Sequence, residues 1–277
     1  MKSIVLCADD FALHAQVSQG IAALARQARL SATSVMSLSP RWPQDAALLA
    51  DVRGRIDVGL HLDWTSAFAR DAGHGLLLPA LMARTLMPGW AHSYAATARV
   101  VIERQLDAFE AQWKAPPDHV DGHQHVQQFA GLRQPLIDIL ARRYARTLPY
   151  VRISRAPGWG KAALIRAMGA RALERLAHQA GLAHNRTLLG SYNFGAQPAR
   201  YAALMDQCLR LGPPGALLMC HPAQSAADMP GDAIAAARVC EGTYLRNDAF
   251  AQALERAQAR LVRGRELYKQ GEPGSTL

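Results

Sequence analysis

Aromatic residues are scarce in this chain: phenylalanine, tryptophan and tyrosine make up 6% of its 277 residues. The scarcity bears on its charge. The net charge is +9, and the stretch from Arg142 to Arg175 holds eight arginines and Lys161. A groove for single-stranded nucleic acid alternates its cations with aromatic stacking platforms, and this stretch offers only Tyr144, Tyr150 and Trp159. No nucleic-acid partner is therefore expected, and the arginines read as solvated helix faces. Cysteine is also sparse. Cys7, Cys208, Cys220 and Cys240 are scattered without a C-x-x-C pair, which leaves no zinc ribbon or redox motif and fits a reducing compartment. No apolar run approaches the roughly 20 residues of a membrane span. The N-terminus "MKSIVLCADD" has too short an apolar run for a signal peptide and no small-residue cleavage site, so a cytoplasmic location is expected. There is no glycine-rich phosphate loop, no internal repeat and no low-complexity linker. One domain is expected over residues 1–262, with a flexible tail over 263–277.

Hydrophobic residues make up half of the chain, enough for a large core. Short apolar runs alternate with helical patterns: "SIVLCA", then "VSQGIAALARQARL"; "ATSVMSL"; "IDVGLHLDW", then a helix over "TARVVIERQLDAFEAQW"; "DHV", then "GLRQPLIDILARRYA"; "YVRIS", then one helix through "ALIRAMGARALERLAHQAG"; "TLLGSY", then "RYAALMDQCLRL"; and "GALLMCHP". This alternation predicts an α/β fold with a parallel sheet, at a length that suits a barrel of βα units. Sites in such folds form at the carboxyl ends of the strands. The chemically loaded residues fall there: Asp9 and Asp10 after "IVLCA", His61 late in "VGLHL", Asp121, His123 and His125 after "DHV", Arg152 in "YVRIS" and His221 after "ALLMC". Residues 66–98 interrupt the alternation with a long connection that reads equally as a lid or as a structural insertion.

Two adjacent carboxylates, Asp9 and Asp10, repel each other and lose hydration when buried. A divalent cation would offset both costs. One aspartate and two neutral imidazoles make a three-ligand set that leaves room for water and substrate, and the second aspartate can then act as a general base. In "HVDGHQH", Asp121, His123 and His125 stand at alternate positions and would face one way if the strand continued. His221, followed by Pro222, suits a general acid. His74, His92, His178 and His184 have no comparable setting.

The pieces "ADDFALH", "GIAALARQARLSATSVM", "VGLHLDW", "HVDGHQHV", "YVRIS" and "LLMCHP", in this order, resemble the YdjC-like carbohydrate deacetylases, a family that includes chitooligosaccharide deacetylases and a deacetylase associated with hopanoid biosynthesis. "TYLRNDAFAQAL" is similar to that family's closing helix start with its arginine, Arg246. The resemblance implies an irregular (β/α) barrel of the polysaccharide-deacetylase type. It implies one divalent ion, magnesium or zinc, held by Asp10, His61 and His125, with Asp9 as base, His221 as acid and Arg152 orienting Asp9. Asp121, His123, Trp64 and Phe11 are expected to face the substrate or stand behind the ligands. The implied reaction removes acetyl from an N-acetylated amino sugar. A lipid-linked substrate would add a peripheral membrane contact, and a homodimer is compatible with the reading. Three positions depart from the family pattern. Ala12 replaces a glycine and is expected to disfavour a positive φ, while Ser18 replaces an asparagine and Gln127 a histidine, both expected to alter substrate contacts.

Overall fold

A computed structural model of the chain describes residues 1–158 and 160–268. Its first strand, β1 (Lys2–Phe11), is buried without a break from Ile4 onward. Such a run suits a parallel strand covered on both faces. Seven strands lie in the order β5 (Tyr150–Val151), β4 (His119–Gly122), β3 (Asp57–Leu62), β2 (Ala32–Val35), β1, β7 (Leu217–Cys220) and β6 (Leu188–Leu189), and every pairing is parallel. An eighth strand, β8 (Ala259–Leu261), pairs with the start of β1, with Lys2 opposite Ala259. The two ends of the sheet approach each other. A bridge joins Val151 to His184, and the Leu188 N–H donates to the Arg155 carbonyl at 3.0 Å. The result is the expected irregular (β/α) barrel, incompletely closed between β5 and β6.

The helices cover the sheet as their spacing requires. Trp90–Trp113 buries Val101, Leu106, Phe109 and Trp113 along one stripe. Trp42 stacks on Phe109 with ring centroids 5.7 Å apart and takes the edge of Phe11 at 6.2 Å. Phe11 is therefore a core residue, not a substrate-facing one. Among the described residues, no helix is long and apolar enough to cross a membrane.

Several boundaries differ from the sequence expectation. The long helix starts at Trp90, seven residues before the expected start at Thr97, so its first turns belong to the 66–98 segment. The rest of that segment holds the helices Ala67–Asp71 and Leu78–Thr85. The single helix expected through Gly169 is two, Lys161–Ala167 and Ala170–Gln179. Gly169 sits at φ +127°, and a Cβ there would lie 2.2 Å from the Gln128 carbonyl oxygen, so the chain turns where only glycine fits. The first residues of the expected tail over 263–277 belong to the fold. Gly264–Leu267 form a helical turn, and the Arg265 N–H donates to Asp57 Oδ2 at 3.0 Å. Residues 269–277 of that expected tail lie outside the described residues.

Candidate metal and active site

Strand register assembles the site. His61 on β3 lies opposite Asp121 on β4, and Ala8 on β1 lies opposite Cys220 on β7, which sets Asp9 beside His221. Neighbouring side chains on a regular strand point to opposite faces, yet Asp9 and Asp10 line the same cavity of about 610 Å³. The cause is local. The pairing of β1 with β2 shifts register between Ala8 and Phe11, and Asp10 takes φ +70°. Ala12 also adopts a positive φ, +72°, against the sequence expectation. Its N–H donates to Ser18 Oγ at 3.0 Å, and its carbonyl accepts from Ser39 Oγ at 2.6 Å. These bonds offset a left-handed alanine that costs on the order of 1–3 kcal/mol. Ser18 is thus a support of this turn, with its hydroxyl also donating to Asp45 at 2.6 Å, and not a substrate contact.

Three buried carboxylates meet two buried guanidiniums. Arg152 donates from both terminal nitrogens to Asp9, at 2.7 and 2.8 Å, and pairs with Asp121 Oδ2 at 2.9 Å. Arg238 pairs with Asp10 Oδ2 at 2.7 Å and with Asp232 Oδ2 at 2.6 Å. Asp121 also accepts from Ser34 Oγ at 2.5 Å and holds His61 Nδ1 at 2.6 Å. With Nδ1 bound to a carboxylate, His61 Nε2 faces Asp10 Oδ1 at 3.3 Å. This is the orientation a ligating histidine takes when a carboxylate fixes its tautomer. Burial alone would lower the His61 pKa, but Asp121 and Asp10 outweigh it and push it up to about 10. Burial would raise Asp10, but Arg238 and His123 hold it well below the usual carboxylate range. The centre is short of positive charge, which favours the protonated His61 ring.

The expected ligand set was Asp10, His61 and His125. Among the described residues, Asp10, His61 and His123 form one of three groups whose donor atoms lie within 4.8 Å of one another. His123 Nδ1 stands 2.9 Å from Asp10 Oδ1. The expected continuation of the strand is absent. β4 ends at Gly122, and Gln124 and His125 take φ +53° and +64°, so Asp121, His123 and His125 do not share one face. The turn carries His125 along the cavity wall to Ser154, whose Oγ lies 3.0 Å from its Nδ1. Two further groupings, Asp9–His61–Asp121 and Cys7–His119–Asp121, draw on an Asp121 already engaged by Arg152, His61 and Ser34.

His221 lies beyond Asp9, its Nε2 3.8 Å from Asp9 Oδ2. Burial lowers its pKa and favours the neutral ring. Behind it sits Glu241, a fully buried residue that no sequence signal singled out. Glu241 accepts from the His221 N–H at 2.6 Å, from the Tyr192 hydroxyl at 2.6 Å and from the Tyr201 hydroxyl at 3.3 Å. Arg238 and Glu241 both lie on the helix Ala235–Arg246, which approaches the sheet closely at Gly242, where a Cβ would stand 2.3 Å from the Ala223 carbonyl oxygen. The expected arginine of this region, Arg246, is in the helix's last turn, whereas Arg238 reaches the site.

Other expectations change. Trp64 is fully buried with its Nε1–H donated to Tyr94 at 3.0 Å, so it is not a substrate platform. Gln127 is fully buried and donates to the Arg152 carbonyl at 3.0 Å and to Ser154 at 3.1 Å, holding the segment that carries Arg152. The 66–98 segment does reach the cavity, through Ala67, Phe68, Leu78 and Met82.

Comparison with known proteins bears on the family and the fold. The family profile described as YdjC-like protein matches residues 3–256. A search of curated proteins finds no match. Among solved structures, a protein of Enterococcus faecalis described as a candidate cellobiose-phosphate cleavage protein aligns with a TM-score of 0.70 and 18% identity, over 97% of this chain and 99% of that one, which shows a shared fold. A structure described as T48 deacetylase with substrate aligns with a TM-score of 0.49 and 11% identity, over 97% of this chain and 94% of its own, too low a score to carry an argument.

Proposed function

The chain belongs to the YdjC-like family, and from that premise we propose that it is a metal-dependent hydrolase that removes the acetyl group from an N-acetylated amino sugar of an oligosaccharide or glycolipid. The observation that carries the reading is the charge balance of the site. Asp9, Asp10, Asp121 and Asp232 outnumber Arg152 and Arg238, and a proton on His61 makes up only part of the difference. A divalent cation fits that deficit. Asp10, His61 and His123 would hold it, and one carboxylate with two imidazoles suits zinc or another transition metal on ligand softness. Bound there, such an ion acts as a Lewis acid on the substrate carbonyl and on water.

The chain's own residues divide the remaining work. Asp9 takes the proton from the attacking water. The bidentate Arg152 fork fixes both of its oxygens, so the base has one orientation. His221 delivers a proton to the departing nitrogen. Burial leaves its ring neutral at rest, so the proton it delivers is the one Asp9 takes from water, His221 Nε2 standing 3.8 Å from Asp9 Oδ2, and Glu241 fixes the backbone that carries it. The C–N bond breaks, and the products are acetate and a free amino sugar. The apolar wall from Leu78, Met82, Phe129 and Ile165 shields the carbonyl from bulk water and offers contact to the carbon face of a sugar or its aglycone.

The test is acetate release from N-acetylglucosamine, short chitooligosaccharides and a lipid-linked form, using metal-loaded wild type beside Asp9→Asn. Acetate from one class, lost in Asp9→Asn, is the expected result. No acetate from any class at full metal occupancy, with turnover of an ester or phosphate ester instead, would replace the reading.

A further inference from the structure

A second cavity, of about 590 Å³, shares Met168 with the wall of the catalytic one. Arg133, Arg166, Arg171 and Arg175 line it. Carboxylates are nearly absent from the segments that build it. There is none between Asp71 and Glu103 or between Asp138 and Glu174, and Glu174 itself pairs with Arg155. Arg133 and Arg166 turn a nitrogen to backbone carbonyls of Gln128 and Ala156 at 3.1 and 2.6 Å, which position the groups without neutralising them. Burial and the neighbouring Arg175 hold Arg133 below the usual guanidinium value.

The same region carries exposed apolar side chains. The described residues expose seven large ones, and four of these, Leu77, Leu86, Met87 and Leu164, lie at 52–74% exposure on or next to the helices Leu78–Thr85 and Lys161–Ala167. Leu86 lines the arginine cavity and Leu164 the catalytic one. Arg84, also exposed, stands two residues before Leu86. Exposed leucines beside uncompensated arginines are the combination that seats a protein on an anionic lipid surface, with apolar tips in the headgroup boundary and cations on phosphates.

We propose that this face, next to the wall of the catalytic cavity, docks the protein on an anionic phospholipid bilayer. The inference rests on this surface alone and holds whatever reaction the site performs. The experiment is cosedimentation of the full chain with vesicles of phosphatidylcholine and of phosphatidylcholine mixed with phosphatidylglycerol, at low and high salt. Binding to the mixed vesicles only, weakened by salt, is expected. Arg171→Glu combined with Arg175→Glu should weaken it by about 30-fold or more, the factor that two basic residues near an anionic surface supply. Leu86→Ser with Met87→Ser should weaken what binding remains at high salt. An unchanged near-ultraviolet circular dichroism spectrum establishes that each variant is folded. No binding to the mixed vesicles, or binding that both variants retain, overturns the proposal. So does tighter binding to duplex DNA that the arginine variant abolishes, which would assign the face to nucleic acid.

Discussion

Removing Arg152 is the most direct perturbation of the site. Its side chain is fully buried and holds Asp9, 4% exposed, and Asp121, fully buried, through contacts of 2.7–2.9 Å. Arg152→Met keeps much of the volume but leaves two buried carboxylates without their cation. Breaking a buried ion pair in this way costs about 3–5 kcal/mol. For a chain of this size the melting temperature should fall by roughly 10 °C. We predict that loss in urea unfolding with a chelator present. A divalent cation should recover part of it, because added positive charge takes over some of Arg152's task. Arg152→Lys should regain stability but little turnover, since a point charge replaces the charge of the guanidinium and not its fork. Arg152→Met within about 1 kcal/mol of wild type in chelator, or a deficit identical with and without metal, would refute the charge-balance argument.

Three other predictions follow from particular residues. His123→Ala should lower metal stoichiometry measured by equilibrium dialysis more than His125→Ala does; the reverse order would assign the third ligand to His125. Glu241→Gln removes acceptors from the His221 N–H and two tyrosines, so kcat should fall about 10–100-fold with KM little changed, as expected when a positioning partner is lost; a rise in KM alone would contradict this. Asp57 is fully buried, and burial with Asp118 nearby pushes its pKa up from 3.8 to about 7. The folded state therefore binds this proton more tightly than the unfolded state. The stability it contributes is present at acid pH and lost as pH rises through about 7. Asp57→Asn should gain about 3 kcal/mol relative to wild type between about pH 5 and about pH 8 in urea unfolding, and a pH-independent difference would sink the idea.

The strands and their loaded ends were legible because a buried parallel strand is a continuous apolar run, and the first polar residue after it marks the rim. Asp9, Asp10, His61 and His221 could be placed that way. Phe11 and Trp64 were misread for the same reason: lying at strand ends, they fall where the site falls, but their partners Trp42 and Tyr94 take them into the core.

The order of residues along the chain settled the α/β class, the parallel sheet and the rim on which the site forms, because hydrophobic periodicity and strand length are local properties. The folded arrangement settled which groups meet. A register shift and a left-handed Asp10 turn two adjacent carboxylates into one cavity. A left-handed turn after Gly122 brings His123 to Asp10 and carries His125 to Ser154. Arg238 and Glu241 come from a helix more than 220 residues after β1 begins, where Gly242 packs against Ala223. Contacts of that separation depend on how elements pack in space, and nothing in the local pattern of either segment specifies them.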